Sequence, residues 1–164
     1  KAMDTINQPF AASMCTGVAG LTLTAAATTY STTTAIAFSN KGVAYAKGVI
    51  ATTATPTTDA LTGAAFKGIT KGQATVLVWC LDVTGAVKVA QGSIGLTDAA
   101  GNVVDAGLQF PVIPDELTPF GYSVHRGAST VVGTWTPSGS NWNATGMTST
   151  PYNVFTLPDR PASV

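Results

Sequence analysis

Thr75-Val76-Leu77-Val78-Trp79-Cys80-Leu81-Asp82-Val83-Thr84-Gly85-Ala86-Val87-Lys88-Val89 decides the fold. Thr75 to Val83 is a continuous strand pattern of β-branched, aromatic and aliphatic residues. Asp82-Val83-Thr84-Gly85 is turn chemistry. Ala86 to Ile94 then returns, with Val87 and Val89 on one face and Lys88 on the other. Two such runs around a short polar turn predict a β-hairpin.

Working upstream, residues 51–73 are Thr-rich and polar, with Pro56, Asp59, Gly63, Gly68 and Gly72. They predict a long ordered loop in which Leu61 and Phe66 plug one end of the core and Asp59 caps a single helical turn. Ala35-Ile36-Ala37-Phe38 and the alternating Val43, Tyr45, Lys47 and Val49 flank Ser39-Asn40-Lys41-Gly42, a second hairpin. A Thr-rich loop is expected from Thr28 to Thr34, and Gly20 to Ala25 alternates like a half-buried strand. Residues 1–17 lack periodicity and read as an extended N-terminal arm, leaving 18–164 as a single domain.

Downstream, Asp98 to Asn102 is a turn and Val103-Val104 starts a strand. Phe110 to Pro119 holds three further prolines at 111, 114 and 119, which remove ladder donors, so it reads as an extended crossover with one helical turn after Pro114. Phe120–Val124, Thr130–Thr136, Met147–Thr150 and Asn153–Thr156 supply the last strands. Eight to ten short antiparallel strands with no amphipathic helix predict an all-β sandwich or jelly roll.

Composition narrows the function. Only 10% of residues are charged, the net charge is zero, and Thr and Ala supply roughly a third of the chain. No basic patch suits nucleic acid, and no polybasic run suits an anionic membrane. Near-zero charge favours association. Charge is nonetheless uneven: Lys41 to Lys88 holds five lysines against two aspartates, while Val89 to His125 holds Asp98, Asp105, Asp115 and Glu116 with no Lys or Arg. Such blocks are suited to meeting across subunits.

Catalytic chemistry is sparse. His125 is the sole histidine and no Gly-x-Ser-x-Gly elbow exists, so it reads as a partly exposed strand residue. Asp115 and Glu116 are adjacent and would point apart in an extended segment, unlike a glycosidase pair. Asp98, Asn102 and Asp105 do not match an EF-hand loop, and one histidine with two cysteines gives no zinc spacing. No metal and no cofactor is expected. Cys15 and Cys80 permit one bridge, but Cys80 lies in the apolar run and reads as a buried free thiol. Trp135, Trp142, Tyr122 and Tyr152 suit either a sugar-stacking platform or core and interface anchors.

Several motifs together resemble head decoration (cement) proteins of tailed bacteriophages. They are Ala54-Thr55-Pro56-Thr57-Thr58-Asp59-Ala60 with Phe66, Val78-Trp79, Val89-Ala90-Gln91-Gly92 and Phe110-Pro111-Val112-Ile113-Pro114. Pro119-Phe120-Gly121-Tyr122, Trp142-Asn143-Ala144-Thr145-Gly146 and Leu157-Pro158-Asp159-Arg160-Pro161 complete the set. The resemblance implies a non-enzymatic virion subunit on the capsid exterior, assembled in the bacterial host cytoplasm. Its partners would be the major capsid protein and copies of itself, as homodimer or homotrimer. Phe10, Phe66, Phe120, Tyr122, Trp135 and Trp142 are the candidate interface residues. The alternative is a head-fibre, receptor-binding or carbohydrate-binding sandwich.

Overall fold

The computed structural model describes residues 13–104 and 107–162. They form an all-β sandwich, with no helix among the described residues and antiparallel strand pairing throughout. The strands are β1 (Met14–Cys15), β2 (Leu21–Leu23), β3 (Thr29–Thr32), β4 (Ile36–Asn40) and β5 (Val43–Lys47). They continue with β6 (Thr53–Ala54), β7 (Gln73–Leu81), β8 (Val87–Leu96), β9 (Thr118–Gly127) and β10 (Met147–Asn153). Three sheets result, ordered β1-β4-β5, β10-β9-β7-β8 and β2-β3-β6.

The quoted hairpin is β7–β8: β7 is a central strand of the four-stranded sheet and β8 lies at its edge. Asp82 Oδ1 accepts the N–H groups of Thr84 and Ala86, and Gly85 takes a positive φ of 77°, which closes the β7–β8 turn. From Ala74 to Leu81 every residue of β7 is buried, so one strand faces two cores. Leu77, Trp79 and Leu81 meet Leu21, Tyr30, Ile36 and Phe38 of the small sheets. Ala74, Val76, Val78 and Cys80 join Tyr122 and Val124 under a cover that is not a strand: Leu108, Phe110, Ile113 and Leu117, with Val154 and Leu157. The proline-rich crossover thus becomes a strap over the back of the sheet. Two-sided burial explains why β7 reads as an unbroken apolar run.

Several local expectations change: the 51–73 segment holds the short strand β6, and Val103-Val104 gives only a single bridge, to Thr97. Thr29–Thr32 is a strand, with Tyr30 and Thr32 buried, where a loop was expected; its threonines hide the alternation. Thr130–Thr136 is irregular and touches strand geometry only at the Ile69–Trp135 bridge. Gly133 there takes a φ of 73°, and Val132 is 88% exposed. Of the two strands expected at the C-terminal end, Met147–Thr150 falls in β10, which runs on to Asn153 and keeps Pro151 because it lies at a sheet edge, while residues 154–156 are not strand. Met14–Cys15 pairs with Ser39 and Phe38, so ladder pairing begins inside the segment read as an arm. Residues 1–12 lie outside the described residues.

Phe66 is buried as expected, while Leu61 is 37% exposed and plugs nothing. Pro119 sits in β9 beside the irregularity at Trp79/Cys80, where a missing ladder donor is tolerated.

The strap fits only because residue 92 has no side chain. An added Cβ at Gly92 would stand 2.2 Å from the Gln109 carbonyl oxygen and 2.5 Å from Val76 Cγ1. Gly92→Ala should therefore lower stability by about 1–3 kcal/mol in urea unfolding. It should also speed amide exchange across residues 107–113. Unchanged stability and exchange would mean that the strap is not seated on β8.

Candidate functional site

His125 is the one residue whose chemistry the fold treats specially. It lies on β9, fully buried, opposite Thr75 of β7 and Ser149 of β10. Its Nε2 is 2.8 Å from Ser123 Oγ and its Nδ1 is 2.9 Å from Ser149 Oγ. The proton directions follow from the ends of the chain. Trp79 Nε1–H donates to Ser123 Oγ at 2.9 Å, which leaves the Ser123 hydroxyl hydrogen for Nε2. Ser149 Oγ donates to the Trp142 carbonyl at 2.7 Å, so it accepts from Nδ1–H. The ring is therefore the neutral Nδ1–H tautomer.

The ring also stacks on Trp135 and Trp142, with centroids at 4.9 and 5.0 Å and planes within 25° and 27°. Trp142 meets Trp79 edge-on, and Trp79 meets Tyr30 at 4.7 Å. Each indole N–H is satisfied: Trp135 donates to the Asn141 carbonyl and Trp142 to the Thr29 carbonyl, each at 2.9 Å. Burial holds the imidazole down to about 3, well below the usual histidine range. The expectation of a partly exposed His125 is thereby corrected. It is a core residue with both nitrogens in use, and the apolar segment Phe120–Val124 before it was the available signal.

The other titratable candidates are equally committed or solvated. Asp115 and Glu116 lie in a turn closed by Leu117 N–H donating to the Pro114 carbonyl. Glu116 pairs with Lys41 at 3.2 Å, both exposed. Its acidity is strengthened by its own backbone N–H and by Lys41, the opposite of what a general acid needs. The same pair joins the basic and acidic blocks within one subunit. Asp98 Oδ1 accepts from the N–H groups of Ala100 and Asn102, and Oδ2 from the Asn102 amide. Asp105 lies outside the described residues. Among those described, no three His, Cys, Asp or Glu side chains gather as a metal site.

Cys15 and Cys80 are both free and buried. Cys15 donates to the Pro119 carbonyl, and burial pushes its thiol up to about 12. Burial and then nearby Cys15 raise Cys80 as well. Neither is a ready nucleophile.

The proposed interface aromatics are placed differently from expectation. Phe66, Phe120, Tyr122, Trp135 and Trp142 are each 7% exposed or less, so they anchor the core and offer almost no area to a partner. Phe10 lies outside the described residues. Trp135 and Trp142 cannot form a sugar platform from inside the core. Tyr152, partly buried, stacks on Tyr122 at 4.8 Å.

Asp59 is more than the turn cap that its sequence context suggests. It does accept Thr62 N–H at 3.2 Å, but its Oδ1 also accepts Gln91 N–H of β8 at 3.0 Å. Ala60 N–H donates to the adjacent Val89 carbonyl. The turn therefore closes the outer edge of β8. Two open depressions flank Pro114–Leu117. One, of about 430 Å³, includes Pro56, Asp59 and Lys88. The other, of about 510 Å³, includes Ser13, Lys41 and Asp115. Neither contains a nucleophile paired with a base.

The neutral histidine has a pH consequence. An unfolded histidine titrates near 6.5 and the folded one near 3, so the unfolded chain binds the extra proton first. The stability contribution is complete above about 6.5 and falls as pH drops towards 3. At about 1.4 kcal/mol per unit, several kcal/mol are at stake. Urea unfolding from pH 8 to pH 3.5 should show this loss, and His125→Gln should flatten the profile while lowering stability at pH 8. Identical profiles would mean that His125 is not the group responsible.

No family model, no curated protein and no solved structure matches this chain.

Proposed function

We propose that the chain is a structural virion subunit, a decoration or cement protein that binds the outside of a bacteriophage head and strengthens the seams between major capsid proteins. One observation carries the reading: the histidine and both cysteines are buried in the fold, and the few charged side chains, most of them at the surface, sum to zero. His125, Cys15 and Cys80 are buried, whereas Val112 and Val132 are 89% and 88% exposed. Charged residues are only 10% of the sequence and sum to zero.

A neutral surface loses little desolvation energy on meeting a large partner, and shape complementarity supplies the rest. A body with one strand buried on both faces resists deformation, which suits a clamp on a pressurised shell. Binding in many copies adds small contact energies across many seams. The motif resemblance agrees with this role. The carbohydrate-binding alternative has no exposed aromatic shelf in its favour at Trp135 or Trp142.

Quantitative mass spectrometry of purified particles containing the chain tests the role. Hundreds of copies per head, released together with a loss of head stability, are expected. A few copies at one vertex, or none, would contradict it.

A further inference from the structure

Each sheet edge in a soluble β protein needs a means of avoiding unwanted pairing. This molecule guards its long edges. The β8 edge is closed by Asp59 and Ala60, and further along by Ser93 N–H donating to the Gln109 carbonyl. The β10 edge carries Pro151, and Asn153 Oδ1 accepts Leu21 N–H. The outermost strands β1, β2 and β6 are only two or three residues long.

β5 is the exception. It is five residues long and outermost in its sheet. Lys41 and Gly42, with φ of 49° and 79°, form a two-residue turn of the primed type, so Asn40 and Val43 exchange both ladder bonds. Alternation then points Val43, Tyr45 and Lys47 backbone groups at β4 and those of Ala44 and Ala46 outward. Thr16 N–H donating to the Ala37 carbonyl agrees, because Ala37 opposite Ala46 likewise turns away from the β4–β5 ladder. Among the described residues, nothing bonds the outward N–H and C=O groups of Ala44 and Ala46.

Nor is this edge shielded by charge or bulk. Ala44 and Ala46 are exposed, as are Val43 at 56% and Val49 at 59%. The strand's one lysine does not stand over the edge. Lys47 lies across the β7–β8 turn, its Cδ 3.3 Å from where a Cβ of Gly85 would be.

We infer that the β5 edge is the contact between two copies of this chain, paired antiparallel about a two-fold axis at Tyr45. That register sets Ala44 opposite Ala46 of the second copy and exchanges their free ladder groups. Lys47 then faces Val43 rather than another lysine, so no like charges oppose each other. A net charge of zero adds no repulsion between copies. The result is one continuous sheet, β1-β4-β5 running on into its symmetry mate. A two-fold contact of this kind closes on itself, so it yields a dimer. The inference shares with the proposed function the premise of self-association, but not the premise of a shell.

Sedimentation velocity over a concentration series tests it, comparing the full chain with Ala44→Lys, Ala46→Lys and the double variant. Both side chains are on the exposed face, so thermal unfolding should be little changed. The full chain should dimerise in the micromolar range, and the double variant should weaken the dimer by roughly tenfold or more. Amide exchange at Ala44 and Ala46 should slow only in the dimer. A monomer at high concentration, a trimer, or a dimer indifferent to both lysines would overturn the inference. Co-sedimentation with phage heads, run on the same variants, reports the shell role separately.

Discussion

The imidazole of His125, hydrogen-bonded to Ser123 and Ser149 and stacked on Trp135 and Trp142, ties β7, β9, β10 and the loop of residues 128–146 together. That loop has little ladder structure of its own. It is held because two indoles are buried in it and because a buried polar ring leaves neither nitrogen unpaired. Charging the ring would break the pattern at Nε2, where a serine hydroxyl already donates. The neutral state is therefore a condition of the packing and not a by-product of it.

The same inward use of polar groups recurs elsewhere. Asp59 gives its carboxylate to β8 and to its own turn. Asp82 and Asp98 give theirs to the turns that follow them. Three of the eight acidic side chains are thus committed to turns and to a sheet edge. Alanine, threonine and valine recur across the exposed surface, and such neutral stretches can meet another surface at low desolvation cost. Structure and proposed role meet at this point: a body whose function is contact needs rigidity inside and neutrality outside.

How far this was legible in the sequence depended on where side chains pointed. The run from Thr75 to Leu81 announced a central strand because both of its faces are apolar. Two hairpins were equally readable from Asp82–Gly85 and Asn40–Gly42, since turn chemistry is local. Thr29–Thr32 escaped because threonine serves buried and exposed positions alike. Trp135 and Trp142 stayed open between sugar platform, core and interface because nothing local distinguishes an indole that packs on a distant histidine from one that packs on a partner. His125 looked ordinary for the same reason: its partners come from positions 123, 135, 142 and 149, and only the fold brings them together. Proline was a better guide than expected at the strap and a worse one at β10, where an edge position excuses it.

The packing depends on a histidine kept uncharged in the middle of the protein, and nitrogen NMR of the imidazole observes this directly. With the chain labelled at histidine, Nδ1 should carry the proton and Nε2 should be bare at every pH from 8 down to about 4. The signals should not move until the protein unfolds. A ring that titrates near pH 6.5 in the folded state, or that carries its proton on Nε2, would contradict the account.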